Sequence, residues 1–354
     1  MRAGKFNLSW ILAPASIGIL VLLMPLLFPR ERSLLTRSAK TLPVDDYPRW
    51  YAWSSNKALL LEWGVYDWTH YDCSTGKETQ LEGLSARRIG PGGDIALSPD
   101  GKGLLEHTSA SDGNVGQVLF SAVDGKRHFE QPGSTEEPGV EIGWLSDSQH
   151  WVELIGNLAP IGDDVILERI LIHPLDKPDQ AQTLSLAPTS LLGFMDRDGR
   201  LDFLTLEDRL IVSNCHLYND AQPNQVHVVK LIATEPHLDI SRTKTYQIVL
   251  PPNKAVWAVA YSPHGDKIAW LLDTEHVSPI AAFMHRFLPS VKVQTDHATA
   301  CWVCNLDGTD MRKIGSIQTR PEDLESPLKQ LRWLPDGKRL SFLYQDALWT
   351  VPAD

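Results

Sequence analysis

The sequence predicts an all-β fold: a six-bladed β-propeller of four-stranded antiparallel blades, preceded by a single N-terminal transmembrane helix. Three observations predict it. A motif of apolar residue, Ser/Pro/Asp/Gly turn and apolar run recurs six times; the 354 residues include 24 Gly, 24 Pro and 12 Trp; and no charged residue occurs from Phe6 to Pro29. Turn formers mixed with aromatics suit many short strands better than long helices.

The repeats set the architecture. They are Trp53–Leu61, Leu97–Leu105, Trp144–Val152, Phe194–Phe203, Tyr261–Trp270 and Trp333–Phe342. The turn is of a Ser/Pro/Asp/Gly type: Pro, where present, presets one turn dihedral, and Asp and Gly accept the rest, including positive φ at Gly. The flanking apolar runs read as strands buried on both faces. Starts at 53, 97, 144, 194, 261 and 333 are spaced by 44, 47, 50, 67 and 72 residues. A four-stranded blade takes ~40–50 residues, so the later repeats carry insertions. A strand–turn–strand element follows the hairpin in Tyr71–Leu81, Phe120–Phe129 and Cys301–Ile314. The last repeat ends at Leu348–Pro352, one strand short, and residues 39–44 are expected to supply that strand and remove both open edges.

Leu97–Lys102, Trp333–Lys338 and Asn305–Lys313 resemble the repeats of TolB-type β-propellers, in which a W-S-P-D-G-K turn precedes an outer hairpin containing D-L-D-G. The resemblance covers about residues 45–354, is good in repeats two, five and six, and weakens in three and four, where the Pro is lost. It implies a propeller that is exported and binds other proteins, and it fixes no activity.

The uncharged stretch supplies the anchor. Residues 1–8 form a short basic tail, residues 9–28 the membrane helix, residues 29–43 a juxtamembrane linker with the ring-closing strand, and residues 44–354 the propeller. About 20 residues at ~1.5 Å each span the ~30 Å hydrocarbon core. Pro14 and Pro25 lie toward the segment ends, and Trp10 and Phe28 stand where interfacial aromatics belong. A cleaved signal peptide is the rival reading; it has a shorter apolar region and ends in small residues, whereas this segment runs into Phe28-Pro29-Arg30-Glu31-Arg32. Flanking Lys and Arg alone would keep the propeller in the cytoplasm, yet long domains often translocate regardless. The expectation is a single-pass cell-membrane protein with its propeller on the extracytoplasmic side. Residues 1–40 hold six basic residues and one acidic residue, while the remainder holds 27 and 43. That acidic body argues against nucleic acid as a partner, and the basic stretch is drawn to anionic lipid.

Catalytic motifs are missing. There is no G-x-S-x-G, H-E-x-x-H or G-x-G-x-x-G, and Gly76-Lys77, Gly101-Lys102, Gly125-Lys126 and Gly337-Lys338 lack the Ser/Thr of a phosphate loop. No catalytic or cofactor-binding residue is assigned, and no cofactor is expected. Cys301-x-x-Cys304 has zinc-like spacing, but Cys73 and Cys215 are single and distant, and sulfurs three apart in a strand point to opposite faces. The thiols therefore read as structural. Asp196, Asp198 and Asp202 resemble the calcium loops of integrin-type propellers, but Phe194 stands where the leading acid belongs, and the segment also fills a turn slot. His276, His285 and His297 share an insertion with Asp273, Glu275 and Asp296, and read as a solvated polar loop. Within it, Ser278-Pro279 caps a short amphipathic helix near 278–289, with Ile280, Phe283, Met284, Phe287 and Leu288 on one face. That face either packs onto the propeller rim or docks a partner or membrane.

The leading reading is a non-enzymatic, membrane-anchored scaffold that binds a protein or peptide. The alternative is a propeller hydrolase or lyase with its site in the central funnel, each blade giving one residue and leaving no linear motif. A sensor domain coupled through the membrane helix is a third.

Overall fold

The computed structural model describes residues 33–43, 48–63, 67–82, 94–108, 117–132, 140–158, 164–185, 191–194, 203–206, 209–214, 224–231, 243–251, 255–277, 286, 295–319, 328–345 and 347–354. The apolar segment 9–28, expected from the sequence to be a membrane helix, Cys215, His285, the acidic residues 196–202 and, apart from Arg286, the stretch 278–289 lie outside them. Among the described residues no helix is long and apolar enough to cross a membrane.

The described strands form six antiparallel sheets, the blades of a six-bladed propeller. Blade one is β2 (Pro48–Ser55), β3 (Ala58–Trp63), β4 (Asp67–Asp72) and β5 (Lys77–Gln80); blade two is β6 (Asp94–Leu97), β7 (Gly103–Thr108), β8 (Gln117–Ala122) and β9 (His128–Pro132). Blade three is β10 (Val140–Trp144), β11 (His150–Leu158), β12 (Asp164–Pro174) and β13 (Gln182–Ser185), with β14 (Leu191–Phe194) on β12 as an extra strand. Blade four is β15 (Phe203–Leu206), β16 (Arg209–Asn214), β17 (Asn224–Lys230) and β18 (Lys244–Ile248). Blade five is β19 (Ala255–Tyr261), β20 (Lys267–Val277), β21 (Thr295–Asn305) and β22 (Arg312–Thr319). Blade six is β23 (Lys329–Trp333), β24 (Arg339–Leu343) and β25 (Ala347–Pro352), completed by β1 (Ala39–Pro43) from the start of the chain.

Burial follows strand position. The second strand of blade one, Ala-Leu-Leu-Leu-Glu-Trp, is buried through its middle on both faces, whereas its outermost strand, Lys-Glu-Thr-Gln, is exposed throughout. Continuous apolar runs suit strands sandwiched between neighbouring sheets. Among the described residues the core divides into six clusters, one per seam. Leu60 and Leu104 join blades one and two; Leu105 and Trp151 join two and three; Val152 and Leu210 join three and four. Ile211 and Trp270 join four and five; Leu271 and Phe342 join five and six; Leu343 and Leu59 join six and one. A seam between six and one closes the ring.

The closing strand has its own anchorage. Ala39 lies opposite Thr350 and Pro43 opposite Ala347. Leu42 enters the cluster with Tyr51, Leu59 and Leu348. Ahead of it, a one-turn helix α1 (Leu34–Arg37) buries Leu34 completely between blades five and six. Residues from Ser33 onward thus belong to the propeller, so only residues 29–32 lie between the fold and the apolar segment.

Two sequence readings change here. Phe194 does not open the inner hairpin of blade four: β14 pairs with β12 of blade three, Asp164 opposite Phe194, and the inner hairpin is β15–β16, flanking positions 207 and 208. The insertion after Asp273 also begins as sheet, because β20 and β21 pair as far as Val277 opposite Thr295.

Candidate functional site: a channel walled by the inner strands

The first strand of every blade faces the axis, and the turn that ends it fixes its height. In blade two the Ser98 hydroxyl accepts from the Gly103 and Lys102 amides (2.8 and 3.1 Å) and donates to Asp100 Oδ1 (2.7 Å). In blade five the Ser262 hydroxyl does the same with Lys267, Asp266 and Asp266 Oδ1. Gly101 and Gly265 take φ of +71° and +64°, the left-handed region where a Cβ is strained. Blade three has lost this Gly, and Ser148 carries the strain at φ 55°. Its Oγ accepts the Asp100 amide of blade two (3.1 Å), so the turns also link neighbouring blades.

The Trp that marks repeats one, three and six ties its seam. Trp144 Nε1 donates to the Ala96 carbonyl of the preceding blade (3.0 Å), and Trp333 Nε1 donates to Ala260 (2.9 Å). At the closing seam Trp53 Nε1 donates instead to Ser341 Oγ (2.8 Å), which lies 3.3 Å from the Arg332 carbonyl. Arg332 directly precedes Trp333, as Ala96 precedes Leu97, so the serine hydroxyl stands between the indole and the equivalent carbonyl. Tyr51 reinforces the seam, donating to the Gln330 carbonyl (2.7 Å) with Ser341 Oγ 3.0 Å away. Burial pushes its phenol up to about 12, against the Arg332 charge and the Ser341 hydrogen bond. It is therefore a neutral hydrogen-bonding group at ordinary pH.

The inner strands enclose a channel of about 770 Å³ lined from all six blades. Its wall is mainly aromatic and aliphatic, including Trp53, Ile95, Phe203, Leu204, Trp257 and Tyr261. Charge enters at Glu141, Lys329 and Arg332. The Arg332 guanidinium lies 5.3 Å from the Trp50 ring centroid and 5.4 Å from that of Tyr51, within cation–π range. Gly143 keeps the wall narrow: a Cβ there would sit 2.5 Å from the Phe203 ring.

The structure separates the residues singled out by spacing. Cys301 belongs to the seam between blades five and six and Cys304 to that between four and five, so the thiols face away from each other. Burial pushes them up to about 12 and about 11, and Cys73 up to about 11. All three are free. Glu275 lies opposite His297, and His276 opposite Asp296, as successive cross-strand pairs at the end of a long hairpin. Among the described residues no group of three or more His, Cys, Asp and Glu converges. The Arg332 pairing and the Ser341 relay escaped the sequence reading, because their partners lie about 280 residues apart in the chain.

The sequence matches no family model and no curated protein. Solved structures of similar architecture include hydrazine synthase from Kuenenia stuttgartiensis (15% identity over 86% of this chain and 75% of that chain, TM-score 0.45). They also include the Cps50 (Swd1) β-propeller domain from Myceliophteria thermophila (9%, 90% and 100%, TM-score 0.46). A third is the β-propeller domain of the trilobed protease from Pyrococcus furiosus (10%, 87% and 83%, TM-score 0.42). Likeness at this level transfers no function, and the propeller assignment rests on the strand topology described above.

Proposed function

We propose that this chain is a membrane-anchored, TolB-like interaction module: residues 9–28 hold it to a cell membrane, and the channel receives an extended segment of a protein or peptide on the extracytoplasmic side. The observation that carries this reading is the channel wall. It offers half-buried aromatic and aliphatic side chains from blades one, two, four and five, among them Trp53, Ile95, Phe203, Leu204 and Trp257, and among its described residues Glu141 is the one carboxylate. A hydrolase or lyase would bring several ionisable groups to one point. Here Glu141 shares the wall with two cations, and the aromatic and aliphatic side chains beside them suit burial of side chains of a guest.

Selection of peptides from a displayed random library against the full chain in lipid nanodiscs tests it. Selected peptides are expected to bind at least ~10-fold more weakly to Ala258→Arg, which places a long cation in the channel, and equally well to Glu130→Arg on the outer rim. Melting curves confirm that both variants fold. Peptides that bind Ala258→Arg as tightly as the parent would overturn the channel as the docking site.

A further inference from the structure

We infer that the propeller stands on its rim, with the seam of blades five and six against the lipid headgroups and blades two and three farthest from them. The inference rests on the anchor reading above and adds the orientation. The described chain begins at Ser33, which forms a parallel bridge with Ser316 in β22, the outer strand of blade five. From there it has no slack. Leu34 is fully buried in the seam, Arg37 donates to the Asp354 carbonyl (2.5 Å), and β1 zips onto β25 as the outer strand of blade six.

The apolar segment ends at residue 28, which leaves residues 29–32 as the tether. Four extended residues reach about 14 Å. The headgroup layer of one leaflet takes up roughly 5–8 Å of that distance. What remains is less than the width of one blade, so the propeller cannot stand clear of the surface or present an arbitrary side to it. Charge favours the same placement. The tether, α1 and the first strand carry Arg30, Arg32, Arg37 and Lys40 against Glu31, on a body whose remaining residues are 27 basic and 43 acidic. Lys40 is exposed on the outer strand of blade six. A basic strip at the attachment point of an acidic disc draws that rim to anionic lipid and turns the rest away. Attachment at the rim leaves both channel mouths open to the aqueous phase.

The test uses the full chain in vesicles of phosphatidylcholine and phosphatidylglycerol (about 3:1), with a quencher on the lipid headgroup. In a Cys73→Ser, Cys215→Ser background, a fluorophore is attached at Lys40→Cys or Gln318→Cys on blades six and five, or at Glu130→Cys or Thr183→Cys on blades two and three; all four native side chains are exposed. Quenching at 40 and 318 is expected to exceed that at 130 and 183 at least threefold. A ten-residue Gly/Ser insertion between Arg32 and Ser33 should erase the difference. Equal quenching at all four sites in protein that floats with the vesicles after an alkaline wash would overturn the orientation and leave the anchor standing. Protein that washes off would overturn the anchor itself, and the orientation with it.

Discussion

Ser341→Ala is the smallest change that tests how the ring is closed. Its hydroxyl is fully buried and stands within hydrogen-bond distance of the Trp53 indole, the Tyr51 phenol and the Arg332 carbonyl, so it touches both blades of the seam. Removing it leaves the Trp53 N–H and the Arg332 carbonyl without that partner, while Tyr51 keeps the Gln330 carbonyl. A stranded buried polar group costs about 1–3 kcal/mol, and Trp53 is only half-buried, so the sum is expected near 2 kcal/mol. For a propeller of this length that corresponds to a fall in Tm of roughly 3 °C. Trp53→Phe removes the donor itself and should cost about 1–2 kcal/mol. If the two side chains act through one bond, the double variant loses less than the sum, by about 1 kcal/mol. Urea unfolding of the full chain in nanodiscs, followed by fluorescence and circular dichroism together, measures all four corners and checks that the transitions coincide. An Ser341→Ala effect below about 0.5 kcal/mol, or strict additivity with Trp53→Phe, would refute the relay.

Leu42→Ala should destabilise by about 2–5 kcal/mol, because Leu42 fills the closing seam beside Tyr51, Leu59 and Leu348, and deletion of residues 36–46 should cost more by exposing the edge of β25; melting of the two variants checks this, and an unchanged Tm after deletion would show that the ring does not depend on β1. Acid should loosen the outer turns: the Ser74 hydroxyl holds Asp72 below the usual carboxylate range, the Lys126 amide holds Asp124, and the Thr309 hydroxyl holds Asp307. A carboxyl depressed by folding adds stability above its unfolded value, near 3.9, and loses it as pH falls, so Tm should be flat above about pH 5 and drop below about pH 4; a Tm that rises on acidification would contradict the sign.

What the sequence made legible is local. A Ser-Pro-Asp-Gly turn encodes itself, because Pro, the serine hydroxyl and a left-handed Gly act within six residues, and the turns at Ser98 and Ser262 have the same hydrogen bonds. Five of the six repeats accordingly fall on the inner hairpin of a blade. Turn chemistry does not say which strands it joins: residues 196–199 look like an inner turn but follow an edge strand of blade three, while the hairpin at 207–208 carries Glu and Asp in place of Pro and Gly. The channel was illegible for a deeper reason. The residue that recurs at the end of the inner strand serves the seam. Where it is Trp, as at 144 and 333, its indole reaches the neighbouring blade's carbonyl; where it is Leu, as at 97 and 206, there is no N–H to give. Periodicity therefore records how blades hold one another, a constraint every blade shares. The channel takes several side chains from each blade and places no common demand on them, so Glu141, Phe203, Trp257 and Arg332 differ in kind. Their convergence exists only after the ring has closed, which makes the seam between blades six and one a condition for the proposed site as well as for the fold.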